Sequence, residues 1–191
     1  MEYLIIGFSS YLVGSIPFGF LLTKLILKKD IRDIGSGNIG ATNVLRTGNK
    51  LIGYTTLILD ITKAIIPVIY VKFTNQDFIF ITSLCVFLGH VFPIWLKFKG
   101  GKGVATYVGI LFSLSIIYGL IFILVWLIIF LISKYSSLSS ILASLTIPLY
   151  LLISENDNYI FFLIMFILIF YTHRENVKRL KNKEENKTKI Y

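Results

Sequence analysis

Long apolar stretches separated by short polar segments dominate the pattern of this chain of 191 residues. Several of these stretches approach or exceed the roughly 20 residues that a helix needs to cross a bilayer. They lie near residues 3–25, 51–72, 78–97, 104–132, 138–153 and 159–172. The pattern therefore predicts an all-α integral membrane protein.

The fourth stretch is too long for a single upright span. As one helix, residues 104–132 would be roughly 43 Å long at 1.5 Å per residue, whereas the hydrocarbon core is about 30 Å thick. The stretch is therefore either one tilted helix or two short helices that turn near Tyr118 and Gly119.

The positions of the positive charges favour two helices. Most of the 19 Lys and Arg residues fall within 24–50, within 97–102, or in the tail after His173. The positive-inside rule places all these segments in the cytoplasm, and only a divided fourth stretch satisfies that placement. We therefore expect seven transmembrane helices, with the N-terminus outside and the C-terminus in the cytoplasm.

Composition narrows the class of protein further. The chain is 55% hydrophobic with a mean hydropathy of +0.79, which is too apolar for a soluble domain. The net charge of +9 suits cytoplasmic loops and anionic lipid headgroups better than nucleic acid. We expect one membrane-embedded domain over residues 1–191, with a short basic cytoplasmic tail over 180–191 that frays after about Arg179.

A first Gly-rich segment runs from Gly35 to Arg46, between two apolar stretches. Successive backbone N–H groups in such a turn can form an anion-binding nest, and Arg46 can bind a phosphate through two hydrogen bonds. The hydroxyl and amide groups of this segment belong to Ser36, Asn38, Thr42 and Asn43. The alternative is a surface turn before a helix capped by Thr42 or Asn43, which explains only one or two of these residues.

A second segment joins Gly89-His90-Val91-Phe92-Pro93 to Lys99-Gly100-Gly101-Lys102-Gly103. Its spacing differs from a Walker A loop, but it can still form a nest at a helix N-terminus. A flexible turn that carries positive-inside lysines is an equal alternative. His90 is either a packed, hydrogen-bonded residue or a functional one.

Two further sets of polar residues lie on predicted helices. His173, Asn176 and Arg179 share roughly one face at the cytoplasmic end of the last span, where ordinary interfacial anchoring is the alternative. Asp60 and Lys63 are three residues apart inside the second span, and mutual pairing is the preferred interpretation over catalysis.

The types of side chain that are scarce limit the chemistry. The chain has two His and one Cys, so the sequence offers no evident zinc-type site. The predicted cytoplasmic segments contain no evident carboxylate pair for general acid–base catalysis. Any reaction must therefore start from an activated substrate and depend on positioning and electrostatics.

These motifs resemble those of a known family. The segment from Ser36 to Arg46, the segment from Gly89 to Thr106 and the set His173, Asn176 and Arg179 are similar to the three motifs of the bacterial acyl-phosphate:glycerol-3-phosphate acyltransferases of the PlsY type. Order, spacing and length agree over essentially the whole chain. Two departures are Ala64 and Lys183, which stand where the family usually has Gly.

The resemblance implies a seven-helix enzyme in the bacterial cytoplasmic (inner) membrane, with its active site facing the cytoplasm. It would transfer a fatty acyl group from acyl phosphate to the sn-1 hydroxyl of glycerol 3-phosphate, the first acylation of phospholipid biosynthesis. Lysophosphatidate and phosphate would be the products, and no metal or cofactor is expected. Because acyl phosphate is a mixed anhydride, we expect direct attack without an acyl-enzyme. Membrane lipid and an upstream acyl-phosphate synthase are the expected partners.

The resemblance and the chemistry of the residues together give a candidate site. The expected catalytic residues are Ser36, Arg46, Lys102, His173 and Asn176. The expected substrate-binding residues are Asn38, Thr42, Asn43, His90, Gly100, Gly101, Gly103, Ser140 and Arg179. The proton acceptor is left open between His173, His90 and a substrate phosphate oxygen.

Two other classes of function remain as alternatives. A transporter of an anionic phosphate metabolite would also use basic cytoplasmic loops, but the sequence shows no inverted repeat or broken helices near mid-membrane. A lipid-binding scaffold would explain the positive charge but not the two dense motifs.

Overall fold

The computed structural model describes residues 1–188, and residues 189–191, the last of the predicted basic tail, lie outside the described part. Its regular structure is helical throughout that part. The α-helices are α1 (Glu2–Gly14), α2 (Phe18–Ile26), α3 (Ala41–Leu45), α4 (Lys50–Thr74), α5 (Ile79–Val91), α6 (Val104–Leu114), α7 (Ile116–Ser133), α8 (Ser136–Ile153), α9 (Tyr159–Thr172) and α10 (Arg174–Lys181). Short 3₁₀ turns occupy Ile31–Asp33, Gln76–Phe78 and Ile94–Leu96.

Five helical segments of residues 1–188 are long and apolar enough to cross a membrane. They are Glu2–Ile26, Lys50–Thr74, Gln76–Leu96, Ile116–Ser133 and Ser136–Ile153. A sixth is obtained if α9 and α10, which are bent by 61° at His173, form one span. Helix α6 is apolar but shorter, so the predicted number of seven spans is not confirmed and stays a prediction.

The long fourth stretch is divided, as the charge pattern favours, but at Ser115 instead of near Tyr118 and Gly119. Ser115 is extended, and its Oγ accepts a hydrogen bond from the backbone N–H of Ile117, 3.3 Å away, at the start of α7. The Nζ of Lys72 donates to the carbonyls of Ser113 and Leu114 at 2.7 and 3.1 Å. These contacts satisfy backbone groups that the break leaves outside a helix, whereas Gly119 lies inside α7.

The first apolar stretch is also interrupted, since α1 ends at Gly14 and α2 begins at Phe18. Pro17 precedes α2 and has no N–H to donate, so the helical ladder cannot continue through it. The carbonyl of Ile16 accepts hydrogen bonds from the backbone N–H of Phe18 at 3.1 Å and from Lys63 Nζ on α4 at 2.8 Å. A polar side chain of another helix therefore helps to satisfy the backbone at this break.

The chain divides into two compact units, Met1–Leu114 and the part from Ser115 onward. In the first unit α4 packs against α2, α3, α5 and α6, and α1 packs against α5. In the second unit α8 packs against α7 and α9, and α10 contacts both α8 and α9. The expected single domain over residues 1–191 stays a prediction.

The expectation that the chain frays after about Arg179 is wrong for the described part of the tail. Helix α10 continues to Lys181, and the chain then folds back onto the second unit. The backbone N–H of Thr188 donates to the carbonyl of Lys134 at 2.9 Å, and the carboxylate of Glu185 is hydrogen-bonded to α8 and α10. These contacts offset the entropy that ordering a short tail costs.

Candidate active site

The side chain of Asn43 organises the first Gly-rich segment. Its Nδ2 lies 2.8 Å from the carbonyls of Ile34 and Asn38 and 3.2 Å from that of Ile31. Its Oδ1 accepts from the backbone N–H of Ser36 at 2.9 Å. The buried amide thus closes the turn from within, and a role for Asn43 as a substrate ligand stays a prediction.

Arg46 lies against the turn at Gly35. Gly35 has a φ of +57°, and a methyl group at this position would lie 2.9 Å from Cδ of Arg46. Glycine therefore permits both the left-handed backbone and the close approach of the arginine. The side chains of Ser36 and Thr42 are exposed, as is that of Arg46, so all three can meet a substrate.

Asn38 is half-buried and has a local partner. Its Oδ1 accepts from the backbone N–H of Gly40 at 2.9 Å, just before α3. This is a side-chain-to-backbone turn that competes with regular structure. The hydrogen bond fixes the side-chain oxygen, while a role for Asn38 with substrate stays a prediction.

The second segment folds back onto the end of α5. The backbone N–H of Gly100 donates to the carbonyl of Val91, and that of Gly101 donates to the carbonyl of His90, each at 3.0 Å. A Cβ atom on Gly101 would overlap the imidazole of His90, so only glycine fits there without movement. Gly103 precedes α6, and Lys102 beside it is half-buried.

His90 belongs to a buried polar cluster of the first unit. Its Nδ1 lies 3.6 Å from Oδ1 of Asp60. The same Oδ1 is 2.7 Å from Nζ of Lys63, which confirms the predicted pairing of Asp60 and Lys63. The cluster links α4, α5 and the break before Pro17, so it fixes the backbone on which the second Gly-rich segment rests.

A buried apolar cluster joins the two Gly-rich segments. It consists of Ile31, Ile39, Val44, Ile52 and Leu96, which are at most 7% exposed. Ile39 and Val44 belong to the first segment and Ile31 precedes it, whereas Leu96 belongs to the 3₁₀ turn inside the second segment. The first unit therefore brings both segments to one end, where its exposed Ser36, Thr42 and Arg46 and its half-buried Lys102 are the candidate groups for a phosphate.

In the second unit, Ser140 has neighbours on its own helix and on α7. Its Oγ donates to the carbonyl of Ser136 at 2.8 Å and accepts from Nε1 of Trp126 at 3.1 Å. The side chain is buried, and its predicted role with substrate is untested.

His173 lies at the bend between α9 and α10 and is almost fully buried. Its Nδ1 is 2.8 Å from the carbonyl of Ile169. A carbonyl oxygen can only accept, so this contact assigns the proton to Nδ1 and makes Nε2 the basic nitrogen of the neutral ring.

Asn176 and Arg179 are joined by a carboxylate that the sequence motifs do not include. Oε1 of Glu185 accepts from Nδ2 of Asn176 at 2.6 Å, and Oε2 accepts from Nε of Arg179 at 2.7 Å. Oε1 also accepts from Oγ of Ser137 at 2.8 Å. Burial would raise the pKa of Glu185, but the hydrogen bonds from Asn176, Arg179 and Ser137 outweigh it and hold the pKa below its usual value. The signal in the sequence is an acidic pair, Glu184 and Glu185, directly after a strongly basic run.

Solved structures define the class of protein. A crystal structure of PlsY (YgiH), an integral membrane glycerol 3-phosphate acyltransferase in its glycerol 3-phosphate form, matches with a TM-score of 0.91 and 40% identity over 98% of this chain and 96% of that chain. The lysophosphatidic acid form matches with a TM-score of 0.88 and 39% identity over 98% of this chain and 95% of that chain. With five to six candidate spans in residues 1–188, the fold is that of a multi-pass integral membrane acyltransferase.

Sequence relatives define the family. The family model for glycerol-3-phosphate acyltransferase matches residues 4–183. A glycerol-3-phosphate acyltransferase of Pelagibacter ubique is 76% identical over 191 residues, with full coverage of both chains. One of Bartonella henselae is 47% identical over 185 residues, covering 93% of this chain and 88% of that protein. The chain belongs to the glycerol-3-phosphate acyltransferase family and is an enzyme of the PlsY type, as the motif resemblance predicts.

Proposed function

We propose that this enzyme transfers a fatty acyl group from acyl phosphate to the sn-1 hydroxyl of glycerol 3-phosphate, giving lysophosphatidate and inorganic phosphate. The observation that carries this proposal is the meeting of two cationic Gly-rich segments at one end of the first unit, joined by the cluster that includes Ile39 and Leu96. Both substrates carry phosphate, and the related crystal structures are of forms with glycerol 3-phosphate and lysophosphatidic acid.

The reaction is a direct attack. The oxygen of the glycerol hydroxyl forms a bond to the acyl carbonyl carbon, the bond from that carbon to the phosphate oxygen breaks, and inorganic phosphate leaves. The hydroxyl proton passes to His173, to His90 or to a phosphate oxygen. Because phosphate is a good leaving group, no acyl-enzyme is required, and catalysis depends on positioning and charge stabilisation.

Each proposed residue has a role that suits its chemistry. Ser36, Asn38 and Thr42 hold the glycerol or the acyl phosphate by hydrogen bonds, while Arg46 and Lys102 bind phosphate and stabilise developing charge. The other proposed ligands from the first unit are Asn43, His90, Gly100, Gly101 and Gly103. The proposed contributors from the second unit are Ser140, His173, Asn176 and Arg179.

A seven-span arrangement suits this chemistry. We propose that α6 is the additional short span, that the N-terminus is outside, and that the Gly-rich segments and the tail face the cytoplasm from the inner membrane. Single cysteines introduced at Glu2, Lys99 and Lys187 in a Cys85→Ser background test this topology. An impermeant maleimide added to intact cells should label the first position only, and labelling of Lys99→Cys would contradict it.

The activity is tested with purified protein in lipid, supplied with palmitoyl phosphate and glycerol 3-phosphate. Phosphate release and lysophosphatidate should appear together in equal amounts, and positional analysis of the product should find the acyl chain at sn-1. Lys102→Ala should lose most of the activity, whereas Lys99→Ala, which removes an exposed cation from the same segment, should retain it. Turnover with palmitoyl-CoA but not palmitoyl phosphate would overturn the donor assignment, and a labelled acyl group trapped on Ser36 would overturn direct attack.

A further inference from the structure

The chain after α10 brings a carboxylate onto two of the proposed substrate residues. Glu185 accepts hydrogen bonds from Asn176 and Arg179 on α10 and from Ser137 on α8. Two of the donors share Oε1, so a single carboxylate links the two helices. The following tail is fixed by the hydrogen bond from Thr188 to the carbonyl of Lys134.

The burial of Glu185 makes this an ordered contact. Its side chain is 10% exposed, whereas that of Arg179 is 36% exposed. A carboxylate leaves water at a large cost unless donors replace its solvation, and here three donors do so. Because these hydrogen bonds also lower the pKa of Glu185, the group is an anion at neutral pH.

The contact leaves Arg179 suited to a second anion. Arginine has five N–H donors, and Glu185 engages Nε. The two terminal nitrogens carry the other four donors in the planar fork that matches a phosphate. Holding Nε fixes the plane of that fork, and holding Nδ2 of Asn176 fixes the direction of its amide oxygen.

We propose that Glu185 is a positioning residue for the acyl transfer, which orders the Asn176 amide and the Arg179 guanidinium for a phosphate-bearing substrate. This inference rests on the proposed function, which assigns those two side chains to the substrate. The competing interpretation is that the carboxylate imitates a phosphate and blocks these donors. The two differ in sign, since loss of the charge lowers activity in the first case and raises it in the second.

The test compares Glu185→Gln with Glu184→Gln. Both remove one negative charge from the same part of the tail, but the Glu184 side chain is exposed. In Glu185→Gln one oxygen is replaced by an NH₂ group, which faces donors and cannot accept from them. We expect kcat/KM for glycerol 3-phosphate to fall about tenfold to a hundredfold, mostly through KM, with Glu184→Gln within twofold of wild type. Glu185→Asp should retain an intermediate activity.

A double-mutant cycle with Arg179→Ala separates positioning from loss of fold. If Glu185 acts through Arg179, its substitution should cost little more once Arg179 is absent. If the fold-loss of activity in the double variant equals the product of the fold-losses in Glu185→Gln and Arg179→Ala, the proposal is overturned. Equal activity of Glu185→Gln and Glu184→Gln would also overturn it. A higher activity or a lower KM in Glu185→Gln would overturn it in favour of competition with phosphate.

Calorimetric binding of glycerol 3-phosphate distinguishes a failure of the proposed function from a failure of the proposed role of Glu185, because this binding requires no acyl donor. We expect Glu185→Gln to weaken this binding about tenfold and Glu184→Gln to leave it unchanged. If wild type makes no lysophosphatidate from palmitoyl phosphate but the binding difference is present, the donor assignment fails and the role of Glu185 stands. If binding is the same in both variants, the role of Glu185 fails whatever the donor.

Discussion

Lys63 and Asp60 form an ion pair inside the first unit, with 2.7 Å between Nζ and Oδ1 and side chains that are 2% and 3% exposed. The same ammonium donates to the carbonyl of Ile16, at the break between α1 and α2. The charge of Lys63 therefore has both a counter-charge and a backbone acceptor. This relationship explains how two ionisable groups are tolerated in a span of low polarity.

Replacement of Asp60 by Leu tests the pair. The ammonium of Lys63 would then lack its counter-charge, and removal of one partner from a buried pair costs about 3–5 kcal/mol. We expect Asp60→Leu to lower the thermal unfolding temperature in detergent strongly, and Asp60→Leu/Lys63→Met to recover most of the loss. Asp77→Asn, at an exposed carboxylate, is the control. A double variant as unstable as the single one would show that the pair does not act as a unit.

The candidate spans of residues 1–188 could be predicted from sequence because lipid exposure demands long apolar helices, whereas the placement of the cations on one side of the membrane stays a prediction. The break at Ser115 could not be placed, because a serine in an apolar run is unremarkable locally. Its position depends on Lys72, a residue of another helix that caps the carbonyls of Ser113 and Leu114. Contacts between residues distant in sequence decide such boundaries.

A methyl group at Gly101 should test the fit of the second segment against His90. The added Cβ would overlap the imidazole, and overpacking of this kind costs about 1–3 kcal/mol. We expect Gly101→Ala to lower the unfolding temperature relative to wild type. The double variant His90→Ala/Gly101→Ala should lose less stability than the sum of the losses in the two single variants, because without the imidazole the added methyl group meets no clash. Simple additivity in this cycle would argue against direct contact.

Asn43 in the first segment and Asn49, which follows that segment directly before α4, offer a matched pair of Asn→Asp substitutions. Asn43 uses its NH₂ group toward three carbonyls, so an aspartate there would place negative charge against acceptors and cost about 1–3 kcal/mol or more. Asn49 uses its acceptor Oδ1 at the start of α4, which aspartate can replace as a helix cap. We expect Asn43→Asp to increase proteolysis of the segment and reduce stability, and Asn49→Asp to do neither. Equal effects would contradict this division of roles.

The sequence could indicate the site where its residues are contiguous, as in the run from Ser36 to Arg46. It could not show that the Asn43 side chain forms hydrogen bonds with the backbone of the turn itself, because those bonds depend on which carbonyl groups lie near the side chain in the fold. Nor could it connect Glu185 to Ser137, since the contact joins the tail to a helix 48 positions earlier. Residues that share a carboxylate across helices are found only in three dimensions.

The pH dependence of stability should reveal Glu185. Its pKa is lowered from the usual 4.5, so its stabilising contribution is complete above that pH and is lost as the pH falls through the lower pKa of the folded state. We expect the difference in unfolding temperature between wild type and Glu185→Gln to be constant from about pH 8 to about pH 5.5 and to shrink under more acidic conditions. Glu184→Gln should show no comparable difference, and a difference that grows on acidification would contradict the assignment.

Two substitutions can separate the roles of the two ring nitrogens of His173. Asparagine can retain the donor that Nδ1 gives to the carbonyl of Ile169, but it has no counterpart of Nε2. If Nε2 takes the hydroxyl proton, His173→Asn should fold normally and lose about 10²–10⁴-fold in kcat with little change in KM. His173→Gln, whose amide reaches toward the place of Nε2 instead, should lose the bond to Ile169 and unfold at a lower temperature. Wild-type kcat in a folded His173→Asn enzyme would exclude this base and leave His90 or a phosphate oxygen of the substrate. These two are separated by whether His90→Ala removes the acidic limb of the pH–rate profile, where a general base becomes protonated.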